Sequence, residues 1–297
     1  MKVLVLGSEG VIGKSLCGYL EHRGHIVFPW DIKLDILHDL SNPLNIPGLK
    51  NCVDEVDFVF FLAYDVGGAK YIWNTDTDFI NRNVAIMMNT FSVLKNKPFI
   101  FASSTMYNMH NAYGTLKYLG EHYTSKLGGL SVRFWNVYGL EAVSDKSHVL
   151  TDIIDNYRHH GYVQLLSSGE EERQFLHTFD CAKGLEVIMN NYETIKKTES
   201  SVDLSSFEWT KIKDLAHLVC DNVRTTPTEL RTHDRKNDPR PFILQYWQPT
   251  ITLREGVASL LLLNVDCISS SIPVLQASKD SHEDPHSSRV AKTLAKP

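Results

Sequence analysis

The sequence predicts an α/β protein, a parallel sheet with crossover helices followed by a smaller C-terminal region. Three observations predict it. Short apolar, β-branched runs alternate with helix-period segments through the first 140 residues. A glycine triplet stands between the first such run and the first helix. After Gly139 the alternation gives way to mixed signals and prolines.

Met1-Lys-Val-Leu-Val-Leu6 reads as a buried parallel strand. Gly7-Ser-Glu-Gly10-Val-Ile-Gly13 follows, then a helix expected over 14–23 with Gly24 as its stop. Glycines at this spacing let the backbone turn tightly and approach a pyrophosphate seated on the helix N-terminus. A second strand, 25–30, ends at Asp31, where a dinucleotide fold places an acid on the adenosine ribose. Asp31 and Glu9 would both repel a 2′-phosphate, so NAD is expected rather than NADP. Residues 57–63, 98–103 and 130–134 supply three further strands, and apolar residues from Phe79 to Leu94 recur at helical spacing. Ligands in such sheets bind beyond the carboxyl ends of the strands, where Asp31, Ser103 and Asn136 fall.

Beyond Gly139 a helix is expected over 148–159, a strand over 163–166, a charged loop over Gly169–Arg173 and a helix over 211–223. Pro227, Pro239, Pro241 and Pro249 punctuate a loop-rich stretch, and the polar composition after residue 266 predicts a disordered tail.

Tyr113 and Lys117 lie four residues apart, on one face of a helix. There an ammonium can lower a phenol from its reference pKa of about 10 and make it a usable base. Ser103, Ser104 and Thr105 end the fourth strand with three hydroxyls that can hold a substrate oxygen against Tyr113.

With these motifs in order, the chain resembles an extended short-chain dehydrogenase/reductase of the NAD-dependent nucleotide-sugar epimerase and dehydratase family. Further matches are Asp35-Ile36, Leu62-Ala63, Asn83, Arg133-Phe-Trp-Asn136-Val-Tyr-Gly139, Arg173-Gln-Phe-Leu-His177 and Trp247-x-Pro249. The resemblance implies a Rossmann-type NAD-binding domain over 1–140, with a return segment near 175–210, and a substrate-binding region over 141–265. It implies that Gly7, Gly10, Val11, Ile12, Gly13, Asp31, Asp35, Ile36, Leu62, Ala63 and Asn83 hold NAD together with Tyr113 and Lys117. Ser103 is then the catalytic hydroxyl, Tyr113 the base and Lys117 the ribose-binding lysine.

Leu62-Ala-Tyr-Asp-Val-Gly67-Gly68 and Ser147-His148-Val-Leu are most similar to GDP-fucose synthase and GDP-mannose 3,5-epimerase. That likeness implies His148 as a proton-transfer residue and Gly67, Gly68, Ser104, Thr105, Asn136, His148 and Arg173 as substrate-binding residues. The double glycine would let backbone approach the sugar, and Arg173 suits a diphosphate through paired hydrogen bonds. A nucleotide-diphosphate sugar, GDP-linked by this passage, and a homodimer are the implied partners.

Two departures narrow the chemistry. Thr105 stands where the 3,5-epimerases carry a cysteine, and a hydroxyl is a poor carbon base beside a thiolate. Ser104 and Thr105 also replace the Asp-Glu of the sugar dehydratases. The segment from Ser103 to Tyr113 is shorter than in the family, which implies an open pocket or one completed by a second subunit. The expected activity is C4 epimerisation or ketoreduction, with 3,5-epimerisation second and a non-catalytic nucleotide-binding regulator as the rival class.

Composition sets outer bounds. A net charge of −5 without a basic cluster argues against a nucleic-acid surface. No apolar stretch reaches the roughly 20 residues that span a bilayer, and the N-terminus lacks signal-peptide features. The five cysteines are scattered with no C-x-x-C pair, so reduced thiols, a cytoplasmic setting and no metal are expected.

Overall fold

Runs such as Phe58-Val-Phe-Phe61 are apolar on both faces, which suits strands buried between two helical layers. A computed structural model describes residues 1–227 and 237–263. The expected tail and Cys267 lie outside the described residues.

The N-terminal part runs β1 (Lys2–Leu6), α1 (Val11–His22), β2 (Ile26–Trp30), α2 (Ile46–Glu55), β3 (Phe58–Phe61), α3 (Ala69–Trp73), α4 (Thr77–Val93), β4 (Phe99–Ser104), α5 (Ala112–Leu127) and β5 (Leu130–Phe134). There follow β6 (Asn136–Tyr138), α6 (Val149–His160), β7 (Val163–Gln164), β8 (Glu172–His177), α7 (Thr178–Asn190), α8 (Tyr192–Lys196) and β9 (Ser201–Leu204). The chain continues through β10 (Trp209–Lys211), α9 (Ile212–Val219), β11 (Val223–Arg224) and α10 (Leu253–Leu262). Residues Met1–Leu262 pack as one unit.

Six parallel strands form the main sheet in the order β2-β1-β3-β4-β5-β9. Side chains alternate across it. Val3, Val5, Phe60, Ile100 and Val132 meet α1 and α7 on one face. Leu4, Leu6, Phe61, Phe99 and Phe101 meet α2, α4 and α5 on the other. β9 comes from the 175–210 segment and lies beside β5, with Arg133 opposite Asp203. A second sheet, β10-β8-β6, sets Asn136 opposite Phe175.

Three expectations are corrected. The first helix begins at Val11, because Gly10 is already its N-cap and the glycine turn merges with its first turn. Glu172 and Arg173, placed in a charged loop, belong to β8 and pair antiparallel with Lys211 and Thr210. The helix expected to reach Val223 ends at Val219, because Cys220 is extended and Val223–Arg224 pairs with β7.

Candidate active site

The cradle at the end of β1 is built by close backbone approach. Gly7 has φ +87°, and a Cβ there would lie 2.7 Å from the Ala63 nitrogen. A Cβ on Gly13 would lie 2.1 Å from the Gly7 carbonyl oxygen. Only glycine lets the turn, the end of β3 and the start of α1 meet this closely. The first-turn amides of a helix lack intrahelical acceptors, and Gly10 offers no side-chain cap. Those of Val11, Ile12 and Gly13 are therefore suited to a pyrophosphate. The Ser8 hydroxyl beside them is buried with no protein partner. Leu62 donates its amide to Leu6 at 2.9 Å, which holds Leu62 and Ala63 along the cradle wall.

Asp31 directly follows β2 and accepts the amides of Glu9 at 3.0 Å and Lys33 at 2.9 Å. A carboxylate has about four acceptor positions, so capacity remains for ribose hydroxyls. Glu9 is paired with Lys14 at 3.0 Å, which offsets the repulsion expected of it. Of the two acids, Asp31 is the one left without a cation partner among the ion pairs of the described residues, and it is suited to disfavour a 2′-phosphate. Asp35 caps a 3-10 turn through the Leu37 amide, and Ile36 in that turn is 70 % exposed. These residues fit NAD at Gly7–Gly13, Asp31 and Leu62–Ala63. Asn83, expected to hold the cofactor, has its side chain engaged with the loop after β3. It is fully buried, and its side-chain amide bonds the Asp65 amide at 2.8 Å and the Asp65 carbonyl at 3.1 Å. Its geometry supports the loop after β3 from behind.

Tyr113 sits in the first turn of α5, which Asn111 caps through the Gly114 amide at 2.7 Å. Lys117, one turn on, is buried and donates to the Ala102 carbonyl at 2.8 Å. Its ammonium lies 3.4 Å above the Tyr64 ring centroid, a cation–π contact, and 5.5 Å from that of Tyr113. Burial pushes the Tyr113 phenol up to about 12, against the hydrogen bond from Ser104. Burial also pulls Lys117 down to about 7, opposed by the Glu121 carboxylate. The expected lowering of Tyr113 by Lys117 does not show: burial is the leading cause at both groups and acts against both charged forms.

Ser103 and Ser104, expected as catalytic and substrate-binding hydroxyls, take different partners. Ser103 shares strand parity with Phe99 and Phe101, so it faces α5 and donates to Glu121 at 2.6 Å. Ser104 turns the other way, caps the 3-10 turn at 105–108 through the Met106 amide at 3.2 Å, and hydrogen-bonds Tyr113. Thr105 begins that turn. Ser104→Ala is expected to lower kcat by at least about tenfold, whereas Ser103→Ala changes stability more than kcat. Steady-state rates and melting curves of the two variants check the assignment. A larger kcat loss in Ser103→Ala would reverse it.

Gly67 and Gly68, expected to approach the sugar, meet another segment of the chain closely. Cβ atoms there would lie 2.8 Å from Lys146 and 2.3 Å from the Ser147 carbonyl, and the Gly68 amide donates to Lys146 at 2.9 Å. The double glycine lets this loop meet the 146–148 segment at backbone contact. Asp65 strengthens that seam: it is buried and bonds Tyr71 at 2.9 Å and Lys146 at 2.5 Å.

His148 caps α6, and its Nδ1 lies 2.7 Å from Glu141. The Glu141 carboxyl is held below its usual range chiefly by bonds from His148, against the cost of burial. An ionised carboxylate only accepts, so Nδ1 is the donor in this bond. Asn136 begins β6, half-buried. Arg173 in β8 is half-buried and donates to the Glu172 carbonyl at 2.6 Å. Tyr64, Glu121 and Glu141 were not singled out in the sequence. Only Glu121 carried a signal, at i+4 from Lys117.

Among the described residues no helix is long and apolar enough to cross a membrane, and no cluster of His, Cys, Asp or Glu could hold a metal ion.

The model of the NAD dependent epimerase/dehydratase family matches residues 3–202. The chain belongs to that family and is an NAD-dependent enzyme of its class. It is 24 % identical over 241 residues to a protein of Bacillus subtilis (strain 168) described as the uncharacterized UDP-glucose epimerase YtcB, covering 67 % of this chain and 75 % of that one. It is 28 % identical over 116 residues to GDP-mannose 3,5-epimerase of Arabidopsis thaliana, covering 35 % and 31 %. The structure of the epimerase Mth375 from Methanothermobacter thermautotrophicus superposes with a TM-score of 0.74 at 19 % identity, covering 86 % of this chain and 90 % of that one.

Proposed function

We propose that the enzyme transfers hydride between NAD and C4 of a nucleotide-linked sugar, as an epimerase or ketoreductase. The observation that carries this reading is the buried convergence of Ser104, Tyr113 and Lys117 at the end of β4, beside the glycine cradle. NAD when bound supplies the hydride acceptor. Ser104 holds the sugar hydroxyl, Tyr113 takes its proton, and Lys117 holds the ribose and stabilises the phenolate. Residues 1–140 with the return segment bind NAD, and 141–265 bind the nucleotide sugar, with Asn136 and Arg173 as contacts. The nucleotide leans toward GDP on the resemblance of the 62–68 passage, although the two relatives are described with different nucleotides. A cytoplasmic homodimer acting in carbohydrate biosynthesis is part of the same proposal.

The His148–Glu141 pair favours a second reading, 3,5-epimerisation with 4-reduction, because a carboxylate-oriented imidazole is a competent base. Thr105 leaves it without a second carbon base. Incubation with a panel of UDP- and GDP-sugars in D₂O, read by mass spectrometry and NMR, tests both readings. The expected result is turnover of one nucleotide sugar with no deuterium at C3 or C5. Deuterium there, abolished by His148→Asn, would establish the second reading. No conversion of any nucleotide sugar would contradict both.

A further inference from the structure

Lys117 is only 3 % exposed, yet the role proposed for it is to hold a ribose. A ribose oxygen accepting from the ammonium must come within about 2.7–3.2 Å of Nζ. In this state the chain itself surrounds that atom. The Ala102 carbonyl takes one of its three donors at 2.8 Å. The ring centroids of Tyr64, Phe101 and Tyr113 stand 3.4, 5.1 and 5.5 Å from it. For a ribose to reach Nζ, one of these groups must give way.

Three of the four are fixed by the fold. Ala102 lies within β4 and pairs with Val132 of β5. Phe101 is 1 % exposed and packed between the Phe61 and Phe91 rings. Tyr113 is buried in the first turn of α5. Tyr64 differs from them. It is half-buried, and it follows β3 in a stretch without regular structure. Its hydroxyl meets the Met87 sulfur at 4.0 Å, a weak acceptor. The backbone on either side is held, by the Leu62 amide on Leu6 and the Asp65 amide on Asn83. The movement left to Tyr64 is therefore rotation of its side chain.

We propose that Tyr64 is a cofactor-responsive cap on Lys117, its ring covering the ammonium in the cofactor-free site and turning aside when the nicotinamide-side ribose of NAD binds. This rests on the ribose-holding role of Lys117 in the proposed function.

The cap has a cost that binding can read. A desolvated ammonium over a ring face is stabilised there, so the covered form is the populated one. A ligand that needs the uncovered form binds with an affinity reduced by the fraction of molecules uncovered. That reduction applies only to ligands carrying the second ribose. ADP carries the adenosine and the diphosphate that suit Asp31 and the glycine cradle, and it ends before that ribose. ADP-ribose adds the ribose without the nicotinamide. A ring that merely filled space would act otherwise, since its truncation would leave a void beside Lys117 and strengthen no ligand.

Titration of the full-length enzyme with ADP, ADP-ribose and NAD tests the cap. Tyr64→Ala is expected to bind ADP-ribose and NAD about fivefold or more tighter than wild type, with ADP unchanged. Tyr64→Phe keeps the ring face and should bind all three as wild type does. Lys117→Met added to Tyr64→Ala should cancel the gain. A fluorine label on the ring of Tyr64 leaves the packing intact and stands even where Tyr64→Ala folds poorly. Its ¹⁹F resonance is expected to move with ADP-ribose and NAD and to stay in place with ADP. Unchanged or weaker ADP-ribose binding in Tyr64→Ala, a gain that survives Lys117→Met, or a label that ADP-ribose does not move would each overturn the proposal. These are binding measurements, so they decide the cap even in an enzyme that converts no nucleotide sugar, the result that contradicts the proposed reaction.

Discussion

Replacing Tyr113 by Phe is expected to leave NAD binding close to wild type and to lower turnover by about 100-fold or more, as removal of a positioned acid–base group does. The ring is 7 % exposed and packs edge-on against Tyr64, so phenylalanine keeps the packing and loses only the hydroxyl. That hydroxyl is the group Ser104 faces. The order of the two titrations is instructive. With Lys117 at about 7 and Tyr113 at about 12, the phenolate–ammonium pair is a minor form of the cofactor-free site. The base form of tyrosine grows as pH rises, whereas the lysine cation is lost, so kcat should follow a bell whose limbs belong to the pair. A bound oxidised nicotinamide adds positive charge and favours the phenolate. NAD titration and steady-state kinetics of the variant check the prediction, and near-normal turnover would remove Tyr113 from the mechanism.

Gly13→Ala is expected to cost both cofactor and stability. Its Cβ would lie 2.1 Å from the Gly7 oxygen and 2.8 Å from the Ser8 Cα, all backbone atoms that cannot swing aside. Helix α1 must then move away from the turn, and its first amides leave the pyrophosphate position. Overpacking of this kind costs about 1–3 kcal/mol, which in a chain of this size lowers Tm by roughly 2–12 °C. NAD affinity should fall at least about tenfold, in line with the loss of one or two charge-assisted hydrogen bonds. Gly18→Ala, on the same helix with open space around its Cβ, is the control and should melt no lower than wild type. Thermal melts and NAD titrations separate the two. Unchanged affinity in Gly13→Ala would show that this turn does not hold the cofactor.

The fold was legible because buried parallel strands leave continuous apolar runs, and the five strands of the N-terminal half coincide with those runs. The glycine turn was legible because close backbone approach admits no other residue. What stayed hidden depended on register and long-range packing. Ser103 and Ser104 are neighbours in sequence but face opposite sides of β4, and the choice between them follows from where the strand ends. Gly67-Gly68 announces a close approach without naming the approaching chain, which proved to be 146–148. Glu-Glu-Glu-Arg reads as a solvated loop, yet its last two residues form the start of β8 between β6 and β10. Tyr64 was hidden within an apolar run, and only the fold brings its ring under Lys117.

The proposed chemistry of this site is Tyr113-assisted hydride transfer from C4 to bound NAD. Single-turnover mixing of NAD-loaded enzyme with its nucleotide sugar, carrying protium or deuterium at C4, tests it most directly through absorbance of the reduced nicotinamide. A transient rise that deuterium slows and that Tyr113→Phe removes is expected. Product formation with no reduced nicotinamide and no isotope effect would contradict it.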